Sequence, residues 1–134
     1  MDAAAARALS AKLIRFLETG NPAEDLFTPD VFCDYTMPLW RLQACGLSDL
    51  VRLRQTGHPA LGTVPGHRVD PTPTGFVLEV EERWQQGGQN WYSRELFRAD
   101  VRDGRIAELT IYCTGDWDAA QQARHRREVQ LLRP

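Results

Sequence analysis

The chain is 134 residues long, 43% hydrophobic and 25% charged, which suits one globular domain over residues 1–134 and excludes a disordered chain. Sixteen basic and 18 acidic side chains leave a net charge of −2, which excludes the strongly basic footprint of a general nucleic-acid binder. Fifteen of the 16 basic residues are Arg, with Lys12 the single lysine, a bias that reads as a coding signature.

In chain order, Leu9, Leu13, Phe16 and Leu17 recur at helical spacing and predict a helix over 3–19, stopped by Gly20-Asn21-Pro22. A short helix is expected over Ala23–Phe27, closed by Thr28-Pro29-Asp30, and a short strand over Val31–Met37 ending at Pro38. Ser48 reads as the N-cap of a helix over Asp49–Gln55 that turns Leu50, Val51 and Leu53 inward. Residues 56–74 are rich in Pro and Gly and read as loop, with a short strand at His67–Asp70. Three clearer strands follow at Phe76–Trp84, Trp91–Val101 and Ile106–Thr114, separated by the turn signals Gly87-Gly88 and Asp103-Gly104. Asp116 is then positioned to cap a last helix, at about 116–130.

Helices segregated from a meander of antiparallel strands indicate an α+β fold. A curved sheet wrapped around the N-terminal helices would leave a cone-shaped pocket suited to a small molecule. Cys33, Cys45 and Cys113 show no C-x-x-C spacing and read as free thiols of a reducing, cytoplasmic compartment. The start of the chain carries no signal-peptide pattern, and no apolar run approaches the ~18 residues of a membrane span, so no membrane association is expected. His58, His67 and His125 are scattered without ligand spacing, so no metal site is expected. The glycines of the central loop form no phosphate-binding fingerprint, and no cofactor is expected.

The strands supply the candidate chemistry. Phe76, Leu78, Val80, Glu82 and Trp84 share one face of their strand, and Trp91, Ser93, Glu95, Phe97, Ala99 and Val101 share one face of the next. Glu82 and Glu95 are therefore lone acids among apolar neighbours. Each is either a catalytic group or an acid satisfied by water at a rim or by Arg83 or Arg94 across the strands. Trp40, Trp84 and Trp91 fall near pocket-lining positions and either hold a ring-bearing ligand or fill the core. His67 is placed to reach the cone mouth as an acid or base, or to lie in an exposed loop.

Three segments carry a family resemblance: Phe16-Leu17-Glu18-Thr19-Gly20 with Leu26-Phe27-Thr28-Pro29-Asp30; Met37-Pro38-Leu39 with Gly46 and a helix after it; and Asp103-Gly104-Arg105-Ile106. In these the chain resembles the nuclear transport factor 2-like superfamily, and within it the SnoaL-like group. The resemblance implies a cone-shaped, cystatin-like α+β barrel, usually a homodimer. The superfamily includes polyketide cyclases, ketosteroid isomerases and limonene-epoxide hydrolases beside members that only bind ligands or partners. It places a catalytic Asp at the end of the first strand, which is Asp34 when anchored on Met37-Pro38-Leu39; aligned from Phe27, Tyr35 stands there. It puts Leu109, Ile111 and Cys113 on the cone face. The essential Asp of the epoxide hydrolases is replaced by Ile111, and the oxyanion Tyr of the isomerases by Leu13, so neither mechanism carries over whole.

The expected function is a cofactor-independent isomerase, cyclase or dehydratase working by general acid–base catalysis on an apolar, polyketide-like small molecule. Asp34 would be the base, Glu82 or Glu95 the acid and Tyr35 a hydrogen-bond donor. Trp40, Trp84, Trp91, Phe97, Leu109 and Ile111 would line the pocket. The alternative is a non-catalytic ligand-binding or protein-interaction module. The convex face, with Tyr92, Arg94, Leu96, Arg98, Thr110 and Tyr112, would carry a homodimer contact.

Overall fold

The apolar stripe of Leu9, Leu13, Phe16 and Leu17 is the buried face of helix α1 (Ala3–Thr19) in the computed structural model, which describes residues 1–134. Asp2 caps the helix by accepting the Ala5 amide at 2.9 Å. Gly20 ends it at φ +74°, a left-handed conformation that costs glycine nothing, with its amide on the Phe16 carbonyl.

The next stretch departs from expectation. Glu24–Leu26 forms a single turn rather than a short helix. Five residues are too few to sustain a helix alone, and the Leu26 carbonyl is taken by the Ile106 amide at 2.9 Å, which draws the chain into the sheet. Strand β1 (Phe27–Met37) therefore starts before Val31, and a register shift between Phe27 and Phe32 accommodates Pro29. A strand with no sequence signal, β2 (Trp40–Cys45), folds back on β1 through Pro38-Leu39, with Leu39 at φ +64°. Helix α2 (Leu47–Gly57) starts one residue before Ser48, so Gly46 is its N-cap and Ser48 lies in the first turn. Strand β3 (Gly62–Pro71) occupies most of the expected loop. It tolerates Pro65 because it is an edge strand and Pro65 falls inside a register shift between Thr63 and Gly66.

Strands β4 (Gly75–Gln86), β5 (Gln89–Arg102) and β6 (Arg105–Cys113) form the expected meander. Asp103 (φ +52°) and Gly104 (φ +77°) make the tight turn their dipeptide predicts. Residues 114–117 do not enter a helix. They run along β5, where Tyr92 and Trp117 exchange backbone hydrogen bonds of 3.0 and 2.7 Å. Helix α3 (Ala119–Glu128) is consequently capped by Asp118, which accepts the Gln121 amide at 2.8 Å, and Asp116 is left free of the helix.

The six strands lie in the order β2-β1-β6-β5-β4-β3, antiparallel except for the parallel pair β1–β6. The curved sheet stays open, with β2 and β3 as its edges. Phe76, Leu78, Val80, Phe97, Ala99, Leu109 and Ile111 project from its inner face into one core with the α1 stripe. Gly75 permits the close approach of β4 to β5, since a Cβ there would collide with the Ala99 carbonyl. Helix α2 packs against β1 and β2, leaving a hollow between both helices and the sheet.

Candidate active site

The hollow is a cavity of about 150 Å³. Leu13, Phe16 and Leu17 of α1, Leu50 and Leu53 of α2, and Phe27, Phe97, Leu109 and Ile111 of the sheet give it apolar walls. Tyr35, Arg54, His58, Glu95, Cys113 and Asp116 form its polar side.

Glu82 and Glu95 are both buried, at 3% and 7% exposure. The ladder sets Glu82 opposite Ser93 and Glu95 opposite Val80, so the acids are diagonal neighbours on the inner face. Glu82 is met by Arg54 in a two-pronged ion pair of 2.6 and 3.3 Å. The same guanidinium donates to the Leu17 carbonyl at 2.5 Å. That carbonyl lies in the last turn of α1, which has no basic residue of its own, so α2 supplies the cation the helix end favours.

The two acids are pushed in opposite directions. Burial would raise the Glu82 carboxyl, but the hydrogen bond with Glu95 and the Arg54 charge outweigh it and hold Glu82 below its ordinary range. Burial, reinforced by the Glu82 charge, raises Glu95 well above its ordinary range. Glu82 is thus the carboxylate and Glu95 the neutral acid. Glu95 Oε1 faces Ser93 Oγ at 3.5 Å and the Cys113 thiol at 3.9 Å. Burial pushes that thiol up to about 12, which keeps it protonated, so Cys113 is no nucleophile at neutral pH. Burial, with the Glu95 charge next, also raises the Tyr35 phenol. Burial raises Asp116 as well.

His58 follows directly after α2. Its Nδ1 lies 3.0 Å from the Ala60 carbonyl. A carbonyl only accepts, so Nδ1 carries the proton and Nε2 is left as an acceptor. Nε2 is buried and has no hydrogen-bond partner in the protein. Burial and then the Arg54 charge lower the imidazole, keeping it neutral. The Trp84 ring backs it edge-on, with centroids 4.3 Å apart.

Several sequence-derived placements change. Asp34 projects from the opposite side of β1 to Tyr35, away from the cavity, where Arg41 holds it at 2.9 and 2.6 Å. That contact keeps its carboxyl low, the reverse of what a buried base needs. Tyr35 is the residue that faces the pocket. Phe97, Leu109 and Ile111 line the cavity as expected, whereas Trp40, Trp84 and Trp91 do not. Trp40 is exposed at the β1–β2 hairpin. Trp84 and Trp91 stack 6.3 Å apart, with ring planes at 8°, because β4 and β5 run on past the cavity into an open polar groove. Arg83 and Arg94 belong to the outer face: Arg83 lies over the Tyr92 ring at 4.6 Å and Arg94 pairs with Glu79 at 2.7 Å. His67 is exposed on the edge strand. Sequence reasoning missed Arg54, His58 and Asp116. For Arg54 a signal existed, since it stands four residues from Leu50 on the inward stripe of α2.

Asp34→Asn should therefore leave the thermal midpoint and ligand affinity near wild type, because an exposed ion pair contributes little. Calorimetric melting and a ligand titration check this; a variant that folds but no longer binds would return Asp34 to the site.

The helices against an open, curved sheet and the polar-sided cavity between them define a cone-shaped α+β fold. Solved structures specify it further. The chain matches a nuclear transport factor 2-like protein from Anabaena variabilis with a TM-score of 0.71 at 18% identity, over 84% of this chain and 89% of that one. It matches a Kribbella flavida protein provisionally described as a ketosteroid isomerase with a TM-score of 0.61 at 19% identity, over 98% and 92% of the two chains. A Xanthomonas campestris protein provisionally described as a polyketide cyclase matches with a TM-score of 0.63 at 18% identity, over 81% and 90%. No family model and no curated protein matches the chain. The protein thus has the nuclear transport factor 2-like fold that its sequence resembles.

Proposed function

We propose that the protein is a cofactor-independent acid–base enzyme, an isomerase, cyclase or dehydratase, acting on a small apolar molecule held in the cavity. The observation that carries this reading is the paired acids: Glu95 lines the apolar cavity as a neutral acid, and the ionised Glu82 stands beside it on the neighbouring strand, the two pushed apart by burial and by Arg54. A carboxylic acid kept neutral can donate a hydrogen bond or proton to a developing oxyanion, and Tyr35 adds a second donor in the same cavity. The solved relatives described as isomerase and cyclase support the reaction class.

Deuterium exchange tests it without knowing the substrate. Ring ketones such as cyclohexanone are incubated with the protein in D2O, and label at the carbon next to the carbonyl is followed by mass spectrometry. Exchange above the buffer rate is expected, falling about 10²-fold in Glu95→Gln and in Tyr35→Phe. Exchange no faster than buffer across such ketones, or unaffected by both variants, sinks the reading.

A second reading, a binding module, is favoured by one observation: Glu95 is already engaged by Glu82, Ser93 and Cys113 without a substrate. Tight binding with no exchange would establish it. In either case the convex face is assigned to a homodimer, since Leu96 and Tyr112 are paired in register and exposed there, flanked by Arg94 and Arg98. No helix is long and apolar enough to cross a membrane.

A further inference from the structure

We propose that Asp116 is the base of the cavity, the group that takes a proton from the carbon next to a substrate carbonyl. This rests on the acid–base reading above and supplies the member that reading lacks.

The base is missing because two carboxylates are spent elsewhere. Asp34 points away from the cavity into its pair with Arg41, and Glu82 is engaged by Arg54 and is not part of the cavity wall. Elimination among the lining groups then leads to one residue. Glu95 is a neutral acid, and burial raises the Cys33 and Cys113 thiols to about 12, so neither accepts a proton at neutral pH. The Tyr35 phenol is raised by burial and stays a donor. His58 commits Nδ1 to the Ala60 carbonyl, and its Nε2 is buried away from the cavity. Asp116 remains. It lines the cavity, is exposed to water, and has no hydrogen-bond partner in the protein.

The backbone holds this free carboxylate in place from both sides. Gly115, at φ +78°, lies so close to Pro38 that a Cβ would stand 3.0 Å from its ring, and the Gly115 amide meets the Cys113 sulfur at 3.3 Å. Trp117 exchanges its two backbone hydrogen bonds with Tyr92. Asp116 therefore sits between two fixed neighbours while its side chain stays uncommitted, which is the arrangement a positioned base requires.

The titratable groups around it come from every element that packs there. Arg54 and His58 belong to α2 and its end, Glu82 to β4, Glu95 to β5, Cys113 to β6 and Tyr35 to β1. Burial is the largest influence and raises the Asp116 carboxyl; His58 and Arg54 pull it down, and Glu82 adds to the rise. A raised carboxylate is the stronger base, and its open side lets it ionise at neutral pH.

The step balances inside the cavity. Asp116 takes the proton, the C–H electron pair forms a C=C bond, and the carbonyl π pair moves to oxygen, where Glu95 and Tyr35 donate. Return of the proton to the same carbon regenerates the ketone, and return to the far end of a conjugated system isomerises it. Since Asp116 is open to water, the proton it carries exchanges with solvent, which puts label into the substrate in D2O.

The test follows deuterium exchange into cyclohexanone with the intact protein. Asp116→Asn should lower exchange about 10²-fold and leave the thermal midpoint near wild type, because the side chain has no partner to lose. Wild-type exchange should fall in acid as Asp116 takes a proton, and Asp116→Asn should lack that fall. In Asp116→Ala, added formate should restore exchange in proportion to its concentration, with chloride at equal ionic strength as the control, and Glu95→Gln should not respond to formate. Full exchange in Asp116→Asn, an acid fall that survives the substitution, or formate that leaves Asp116→Ala no faster would each overturn the assignment. The two readings separate. Exchange that needs Glu95 and Tyr35 but not Asp116 keeps the enzyme and removes this base; no exchange in wild type removes both.

Discussion

Replacing Arg54 with Met should destabilise the protein by about 3–5 kcal/mol, the expected cost of leaving one member of a buried ion pair alone. The side chains of Arg54 and Glu82 are 13% and 4% exposed, so water cannot compensate the carboxylate that remains. Two further losses accompany it. The Leu17 carbonyl at the end of α1 loses its donor, and Glu82 and Glu95 are left as adjacent acids with no cation between them. The thermal midpoint should drop by roughly 10–20 °C, scaling the usual shift per kcal/mol to this chain length. Glu82→Gln should cost a similar amount by stranding the guanidinium. The double variant Arg54→Met/Glu82→Leu should recover most of the loss, because an apolar pair of similar volume often replaces a buried ion pair without penalty. Urea denaturation of the four proteins measures this directly. A loss below about 1 kcal/mol in either single variant would mean that the pair behaves like a surface contact.

The same pair marks how far sequence reasoning reaches. Alternation along β4 and β5 picks out Glu82 and Glu95 as acids on an apolar face, and both are buried there. The pairing cation is invisible to that logic. It comes from a helix 28 residues earlier in the chain, and only packing of α2 over the sheet brings it close. Local patterns therefore suggested Arg83 and Arg94, the near neighbours in the strands, which alternation itself consigns to the outer face. Asp34 and Tyr35 show the sharper form of the problem. A shift of one residue in a strand exchanges its faces, so an alignment uncertain by one place cannot decide between a carboxylate and a phenol as the pocket residue.

The elements follow a similar division. The α1 stripe and the β4–β6 meander are legible because each repeats one period over many residues. β2 is not, because its turn uses Leu39 at φ +64° in place of Gly or Asn, and its edge position lets Arg41 and Gln43 alternate with Leu42 and Ala44 over only six residues. β3 hides behind Pro65 and two glycines, which an edge strand with a register shift can carry. By sequence Asp116 reads as the cap of the last helix, because Asp is a good cap. Asp118 takes that role, since the pairing of Tyr92 with Trp117 delays the helix and leaves Asp116 at the cavity.

Glu95→Gln should make the protein more stable than wild type in alkaline solution and leave it nearly unchanged in acid. Glu95 is raised by burial and then by the Glu82 charge, so the folded protein holds a proton that the unfolded chain releases at the ordinary Glu value of 4.5. Below that value both states are protonated and the native contacts contribute in full. As pH rises toward the folded-state value, the unfolded state binds fewer protons than the folded one, and wild type loses up to about 1.4 kcal/mol per pH unit from this group. A Gln amide reproduces the neutral form: its NH2 can donate to Glu82 and its oxygen can accept from Ser93, with nothing to ionise. The stability difference between variant and wild type should therefore open above the ordinary Glu range and widen with pH. Urea midpoints measured from acid to mildly alkaline pH give the slope. A constant offset across that range would show that Glu95 ionises alike in both states, and the neutral acid on which the proposed chemistry depends would not exist. A widening offset, together with loss of deuterium exchange in the same variant, would show one carboxyl destabilising the fold at the pH where it serves the reaction. Local function and local stability can conflict at one group, and in the proposed site that conflict is confined to a proton between two glutamates, balanced by one arginine.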